Sequence, residues 1–157
     1  MLIGVISDTH GKLDEKVPDL FAGVYRIIHA GDIGDEELVW RLEGIAPVIA
    51  VRGNNDAATI CFPNERLAVV GGNTFFVRHQ FATVEKMSPA HKRIIEQRMP
   101  DAIIFGHSHQ GYIGEWRGTL LFNPGSAGPK RFDLPRSVGI LELHDDHIEP
   151  RIINLEE

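Results

Sequence analysis

Cysteine and basic residues are scarce in this sequence. Its single cysteine, Cys61, rules out a disulfide within the chain, which is typical of proteins in a reducing compartment such as the cytoplasm. Because Cys61 stands between the apolar residues Ile60 and Phe62, we expect it to be a small buried hydrophobic residue rather than a catalytic thiol. The 16 basic and 22 acidic residues give a formal net charge of -6, which disfavours binding to a nucleic-acid backbone.

Long hydrophobic runs are absent as well. No stretch reaches eighteen apolar residues, so the sequence predicts neither a membrane span nor a membrane partner. The N-terminal stretch lacks the basic start and small-residue cleavage site of a signal peptide, and we therefore expect a cytoplasmic protein. The chain has 157 residues, of which 43% are hydrophobic and 24% charged. These totals predict one folded domain over residues 1–157.

Apolar strands alternate with amphipathic segments along the chain. Strands are predicted at residues 2–7, 26–30, 47–51 and 102–105, with a hairpin over 65–78 and short strands from 112 onward. Helices are predicted at residues 18–21, 35–43 and 88–99. The repeated strand, helix, strand order favours right-handed crossovers and a largely parallel arrangement of the first strands. The whole pattern predicts an α/β unit of two sheets packed face to face with helices outside.

Polar residues that can bind metals follow the predicted strands. They are Asp8, His10, Asp32, Asn54, His79, His107 and His109. Carboxylates and imidazoles suit borderline divalent cations such as zinc, manganese, iron or nickel. Each motif taken alone is explained better as a helix cap, a turn or a polar loop than as a metal site. Their recurrence at the ends of five strands indicates a dinuclear metal site.

The spacing of two pairs suggests how such a site could be built. Asp8 and His10, and likewise His107 and His109, are separated by one residue, and residues two apart in an extended strand point the same way. We therefore expect both members of each pair to face the site. A carboxylate can bridge two cations held about 3.5–4 Å apart, and Asp32 is the candidate bridge.

Five motifs carry a resemblance to a known family. D-T-H-G at residues 8–11, G-D at 31–32, G-N-N-D at 53–56, G-H-S-H at 106–109 and N-P-G-S at 123–126 resemble, in this order, those of the calcineurin-like metallophosphoesterases. The resemblance covers nearly the whole chain and is greatest to the small single-domain prokaryotic phosphodiesterases. It implies a four-layer α-β-β-α sandwich of two mixed sheets, and a small phosphoester as substrate.

The resemblance also implies a set of ligands and a mechanism. The first metal would be held by Asp8, His10, Asp32 and His109, and the second by Asp32, Asn54, His79 and His107. Two divalent ions per chain are implied, manganese first, with zinc, iron or nickel as alternatives. In such a site a hydroxide bridging the metals attacks phosphorus in line, and no phosphoenzyme forms.

The sequence departs from the family pattern at two places. Asn55 stands where many relatives have a histidine that protonates the leaving oxygen, and an asparagine cannot donate such a proton. We therefore predict small phosphodiesters rather than monoesters as substrates. Asn55, Asp56 and Arg52 are the candidate catalytic residues, with Asn55 donating a hydrogen bond to phosphate and Asp56 orienting Asn55 or Arg52. The second departure is His79-Gln80-Phe81, where relatives often have His-Gly-His.

Two other functions remain open at this stage. A scaffold protein would keep the same fold and bind partners without hydrolysis. A nuclease would need a basic stripe with interleaved aromatic residues, which the sequence lacks, so a nucleic-acid polymer is not an expected partner. A homo-oligomer that uses apolar residues near Trp40, Phe62 or Trp116 is also left open. His29 is expected to be a buried histidine that supports the site.

Overall fold

The computed structural model of the chain describes residues 1–156. The strands are β1 (Leu2–Ile6), β2 (Arg26–His29), β3 (Val48–Ala50), β4 (Glu65–Val70), β5 (Asn73–Arg78), β6 (Ala102–Ile104), β7 (Tyr112–Trp116), β8 (Thr119–Asn123), β9 (Ser137–Leu143) and β10 (Ile148–Asn154). The α-helices are α1 (Val17–Leu20), α2 (Glu36–Glu43) and α3 (Pro89–Arg98), and a 3-10 turn spans Val84–Lys86. Of the helices in this range, none has the length and apolar character needed to cross a bilayer.

The strands form two mixed five-stranded sheets. The order in the first sheet is β10-β9-β1-β2-β3, and in the second it is β4-β5-β6-β8-β7. In the first sheet β1, β2 and β3 are parallel, as expected from their helical crossovers. The hairpin of β9 and β10 extends that sheet in antiparallel fashion. In the second sheet β5, β6 and β8 are parallel, and β4 and β7 close the edges as antiparallel partners.

Three apolar layers hold the sheets and helices together. Between the sheets, residues of β1 and β2 such as Val5 and Ile28 pack against residues of the second sheet such as Phe75 and Phe122. The other face of the first sheet packs against α1 and α2. The outer face of the second sheet packs against α3 through Ile95. The four-layer α-β-β-α sandwich is therefore confirmed.

Local signals in the sequence explain where the two longer helices begin. The Asp35 side chain accepts a hydrogen bond from the backbone N–H of Glu37 at 3.0 Å and caps α2. Ser88 caps α3 by accepting from the N–H of His91 at 3.2 Å, and Pro89 occupies the first turn. Both caps satisfy a backbone donor that a helix start leaves free.

The expectation that Cys61 is buried is wrong. Its side chain is exposed, because the neighbouring Ile60 is the buried residue of this segment and Phe62 packs against the layer under α1 and α2. The backbone N–H of Cys61 donates to Glu36 Oε1 at 3.1 Å, which ties the loop to the start of α2.

The aromatic residues considered for self-association differ in their environment. The Trp40 side chain is 67% exposed on α2. Phe62 and Trp116 are partly buried and pack against the cores on either side of the sandwich. Trp40 is therefore the one of the three that could contact a second copy, and association stays a prediction.

Candidate metal centre

The predicted ligands lie on loops that follow five strands. Asp8 and His10 follow β1, Asp32 follows β2, Asn54 follows β3, His79 directly follows β5, and His107 and His109 follow β6. β1 to β3 are parallel in one sheet, and β5 and β6 are parallel in the other. The carboxyl ends of the two sets meet at one edge of the sandwich, where the side chains come together.

We expected Asp8 and His10 to face the site because residues two apart in an extended strand point the same way, and this reason is wrong. β1 ends at Ile6, so Asp8 and His10 do not lie in an extended strand. Instead Asp8, His10, Asp32, His107 and His109 all have positive φ, between 49° and 73°. Non-glycine residues rarely adopt this left-handed conformation, which costs about 1–3 kcal/mol at each residue. The loops thus converge through a series of tight left-handed turns.

The first group of ligand atoms belongs to Asp8, His10 and His109. Their coordinating atoms lie within 4.8 Å of one another. Asp8 Oδ1 is 3.4 Å from Nε2 of His109. Asp32 Oδ2 lies 3.8 Å from Nε2 of His10, so the second carboxylate also reaches this group.

The second group contains Asp8, Asp32 and His79. His79 Nε2 is 3.3 Å from Asp32 Oδ2 and 3.6 Å from Asp8 Oδ1. On the other side of the ring, Nδ1 donates a hydrogen bond to the carbonyl of Ala30 at 2.8 Å. This bond fixes the proton on Nδ1 and leaves Nε2 directed at the carboxylates as a free ligand atom.

Asn54 and His107 form the exposed rim of the site. His107 Nδ1 and Asn54 Oδ1 are 3.1 Å apart, and the His107 ring meets the edge of the His79 ring with centroids 5.4 Å apart. Both residues are exposed. They lie outside the two buried groups but next to His79.

Unpaired polar atoms test whether these residues fit a metal. In residues 1–156, four buried side-chain polar atoms have no hydrogen-bond partner, namely Asp8 Oδ1, His10 Nε2, His79 Nε2 and His109 Nδ1. All four belong to predicted ligands. Leaving a buried polar atom unpaired costs about 1–3 kcal/mol, and a bound cation would remove that cost at Asp8 Oδ1, His10 Nε2 and His79 Nε2. The donor set of carboxylates and imidazoles therefore fits a borderline divalent metal.

The protonation equilibria show how negative the site is. Burial raises the pKa of Asp32 and Asp8, but the imidazoles beside them and hydrogen bonds from Asn55 and Ser7 outweigh burial, and both pKa values fall below the ordinary range. Burial lowers the pKa of His79, but the two carboxylates outweigh it and raise the pKa. The charged carboxylates thus create a field that favours cations.

Asn55 supports a candidate ligand, and Asp56 has a structural role that differs from the one expected. Asn55 donates to Asp32 twice, from its backbone N–H to Oδ1 and from Nδ2 to Oδ2, both at 2.9 Å. The Asp56 carboxylate accepts from the N–H groups of Gly53, Gly34 and Ile33 at 2.8, 2.9 and 3.1 Å. Within residues 1–156 it accepts nothing from the Asn55 or Arg52 side chain. Asp56 instead joins the loops after β2 and β3.

Two serines support Asp8, and sequence reasoning missed one of them, Ser7. Ser7 Oγ donates to Asp8 Oδ2 at 2.8 Å, and Ser126 Oγ donates to the Asp8 carbonyl at 3.2 Å. In the same N-P-G-S motif, Asn123 Nδ2 donates to the Gly106 carbonyl at 3.1 Å. Ser7 could have been recognised from the sequence, because it is a polar residue at the end of an apolar strand and directly precedes Asp8.

His29 is the buried supporting histidine that the sequence predicts. It is fully buried, its Nδ1 accepts from the N–H of Gly31 at 3.1 Å, and its Nε2 lies 2.9 Å from the hydroxyl of Thr9. Thr9 in turn donates to the Ile33 carbonyl. Nε2 therefore carries the proton, and the neutral ring joins the loops after β1 and β2.

The titration of His29 should make stability depend on pH. Burial lowers the pKa of His29 to about 4 from the ordinary 6.5, so between these values the unfolded chain binds more protons than the folded one. The contribution of His29 to the free energy of unfolding should therefore be full above about pH 6.5 and fall by about 2–3 kcal/mol on acidification to about pH 4.5. Urea unfolding of chelator-treated protein at several pH values measures this.

Two variants separate this effect from other titrations. His29→Gln should be less stable at neutral pH and should lose about 2–3 kcal/mol of the pH dependence. His147→Gln removes an exposed histidine of the β9–β10 turn and should keep the wild-type slope. An unchanged slope in His29→Gln would show that another group is responsible.

Comparisons with known proteins show what the chain is similar to. A family model described as the calcineurin-like phosphoesterase superfamily domain matches residues 1–146. A probable metallophosphoesterase of Methanocaldococcus jannaschii is 35% identical over 100% of this chain and 83% of its own length. A phosphodiesterase of the same organism is 30% identical over 90% of this chain and 93% of its own.

The fold also has solved counterparts. The crystal structure of a Vps29 single mutant from Entamoeba histolytica superposes with a TM-score of 0.77 at 19% identity, covering 99% of each chain. At this level of identity the likeness concerns the fold alone.

Proposed function

Because the chain belongs to the calcineurin-like phosphoesterase superfamily and is a metallophosphoesterase by that membership, we propose that it hydrolyses small phosphodiesters at a dinuclear centre. The observation that carries the proposal is the set of unpaired buried atoms. All those found in residues 1–156 lie on Asp8, His10, His79 and His109. A site built only for structure would pair them within the protein.

The contacts support an assignment of ligands to two cations. The first would be held by Asp8, His10, Asp32 and His109, and the second by Asp32, Asn54, His79 and His107. Asp32 Oδ2 lies within 3.8 Å of His10 Nε2 and 3.3 Å of His79 Nε2, so Asp32 is the proposed bridge. Asp8 Oδ1 also lies between histidines of both groups.

Two bound cations would supply an activated water and offset charge on the phosphoryl oxygens. The chain's own residues hold that arrangement in place. Asn55 fixes both oxygens of Asp32, and Asp56 fixes the loop that carries Asn54. Both act as positioning residues, and one amide hydrogen of Asn55 remains for a phosphate oxygen. Since Asn55 cannot protonate a leaving oxygen, the site should favour leaving groups that depart without help.

Metal reconstitution tests this function. Chelator-treated protein titrated with manganese should bind about two ions per chain and gain about 3 kcal/mol of stability for each ion at a hundredfold excess over its dissociation constant. It should hydrolyse bis(p-nitrophenyl) phosphate at least about tenfold faster than an alkyl monoester. Zinc, iron and nickel are run in parallel, because the donor set accommodates each of them.

The rival functions give different results in the same assay. A scaffold would bind no pair of ions and show no thermal stabilisation. Comparable turnover of the alkyl monoester would remove the support for a diester preference. A nuclease would bind DNA with an affinity that falls steeply with salt, whereas absent or salt-insensitive binding agrees with a small substrate.

A further inference from the structure

A polar cavity adjoins the candidate metal centre. Its volume is about 300 Å³, and the residues that line it include Arg52, Asn64, Arg78 and Gln80 together with Asn54 and His79. Arg52 directly precedes the loop of Asn54, and Arg78 ends β5 directly before His79. The same two strand ends that deliver candidate ligands therefore deliver two guanidinium groups beside them.

Neither arginine forms an ion pair within 4 Å in residues 1–156. The arginine ion pairs in this range belong to Arg117 and Arg136. Glu65 is opposite Arg78 in the β4–β5 register, but the two form no ion pair within 4 Å. The acidic residue that lines the cavity is Asp56, and its oxygens already accept three backbone N–H groups. Two arginines against one aspartate leave the lining of the cavity with a net positive charge, in a chain of net charge -6.

The chemistry of this pocket suits a phosphoryl group. Guanidinium groups bind phosphate through pairs of parallel N–H donors, with a geometry that lysine cannot reproduce. Asn64 and Gln80 add neutral amide donors. The site described above would hold the reacting phosphorus, so a second phosphoryl group on the same substrate would lie in the adjoining pocket.

Building on the proposed function, we propose that Arg52 and Arg78 bind a terminal phosphate carried by one esterified half of the substrate. The substrate class is then a small phosphodiester that also bears a phosphomonoester, as in a nucleotide esterified at one phosphate and free at another. The diester is cleaved at the metal centre, and the second phosphate is bound without reacting.

A matched pair of substrates tests the proposal. The p-nitrophenyl ester of thymidine 5′-phosphate is compared with the same ester carrying a free 3′-phosphate, so the leaving group and the reacting phosphorus are identical. For the manganese-loaded protein we expect kcat/KM to be at least about tenfold higher with the 3′-phosphate, mainly through a lower KM, because each charge-assisted bond is worth about this factor. In Arg78→Gln this ratio should fall toward one.

Control variants and a binding measurement complete the test. Arg52→Gln should lower the ratio as Arg78→Gln does, and it serves as the second variant if one of them folds poorly. Arg66→Gln, exposed on β4 and outside the cavity, should keep the wild-type ratio. Calorimetry should show that thymidine 3′,5′-bisphosphate binds more tightly than thymidine 5′-phosphate, and that Arg78→Gln reduces the difference.

The outcomes separate this inference from the function on which it rests. Hydrolysis of both esters with a ratio near one, or a ratio unchanged in Arg78→Gln, overturns the phosphate pocket and leaves the hydrolase in place. No hydrolysis of either ester, with bisphosphate binding that depends on Arg78, overturns the proposed function and supports the pocket.

Discussion

Asp32→Asn is expected to lower kcat for bis(p-nitrophenyl) phosphate about 100- to 1,000-fold and to release at least one of two manganese ions. This loss of activity is larger than the one caused by substituting a residue that only hydrogen-bonds to a metal ligand. Asp32 is 1% exposed, and its Oδ2 faces both His10 and His79. An amide keeps the shape but loses the charge and one coordinating oxygen. Steady-state kinetics and metal analysis on the same preparations measure both effects.

Asp35→Asn provides the matched control. Asp35 is an exposed carboxylate three residues further along, and it caps α2. Asparagine caps a helix about as well as aspartate, so metal content and kcat should stay at the wild-type values. If Asp32→Asn kept two ions and full turnover, Asp32 would not be the bridging ligand and the dinuclear assignment would fail.

The fold was largely predictable because its signals are local. Apolar runs, the caps at Asp35 and Ser88 and the hairpin around Gly71-Gly72 lie within a few residues of the features they specify. The antiparallel addition of β9 and β10 to the first sheet was not visible in the crossover pattern. It depends on β9 pairing with β1 from the far end of the chain.

The candidate site was predictable in its composition but not in its detailed geometry. The residue types and their place after strands identified Asp8, His10 and Asp32. The left-handed turns that direct these side chains could not be read from spacing, because non-glycine residues seldom adopt them. The roles of Asn55 and Asp56 depend on bonds to residues about twenty positions earlier, which no local pattern specifies.

Arg78, the second arginine of the cavity, could also have been identified from its position in the sequence. Arg52 and Arg78 each precede a candidate ligand loop, one at the end of the first sheet and one at the end of the second. A basic residue directly before such a loop was therefore a usable signal in both places, although only Arg52 was named from the sequence.

Vps29 shares the fold, and a shared fold alone does not specify the chemistry of a site.

Gly53→Ala is expected to destabilise the protein by about 3 kcal/mol or more, at the upper end of the cost of overpacking a buried position. A Cβ at Gly53 would overlap the backbone nitrogen and Oδ1 of Asp32, and backbone cannot move aside as a flexible side chain can. The Gly53 N–H is also fixed by Asp56. Urea unfolding measures the loss.

Gly53→Ala should also lower the rate of hydrolysis, because it displaces the Asp32 carboxylate proposed to bridge the cations. A shift of about 1 Å in a reacting group can cost about 100-fold in rate, so kcat of the folded fraction should fall by about that factor. Gly44→Ala is the matched control. Gly44 ends α2 at φ -66°, a backbone conformation that alanine adopts readily, and a Cβ there would lie 3.3 Å from the Arg41 carbonyl oxygen. Both stability and kcat should stay near wild type, within about 1 kcal/mol for stability. A Gly53→Ala protein with wild-type stability and turnover would mean that the loop after β3 can move away from Asp32. The close approach of the loops after β2 and β3 would then not be needed to hold the bridging carboxylate in place.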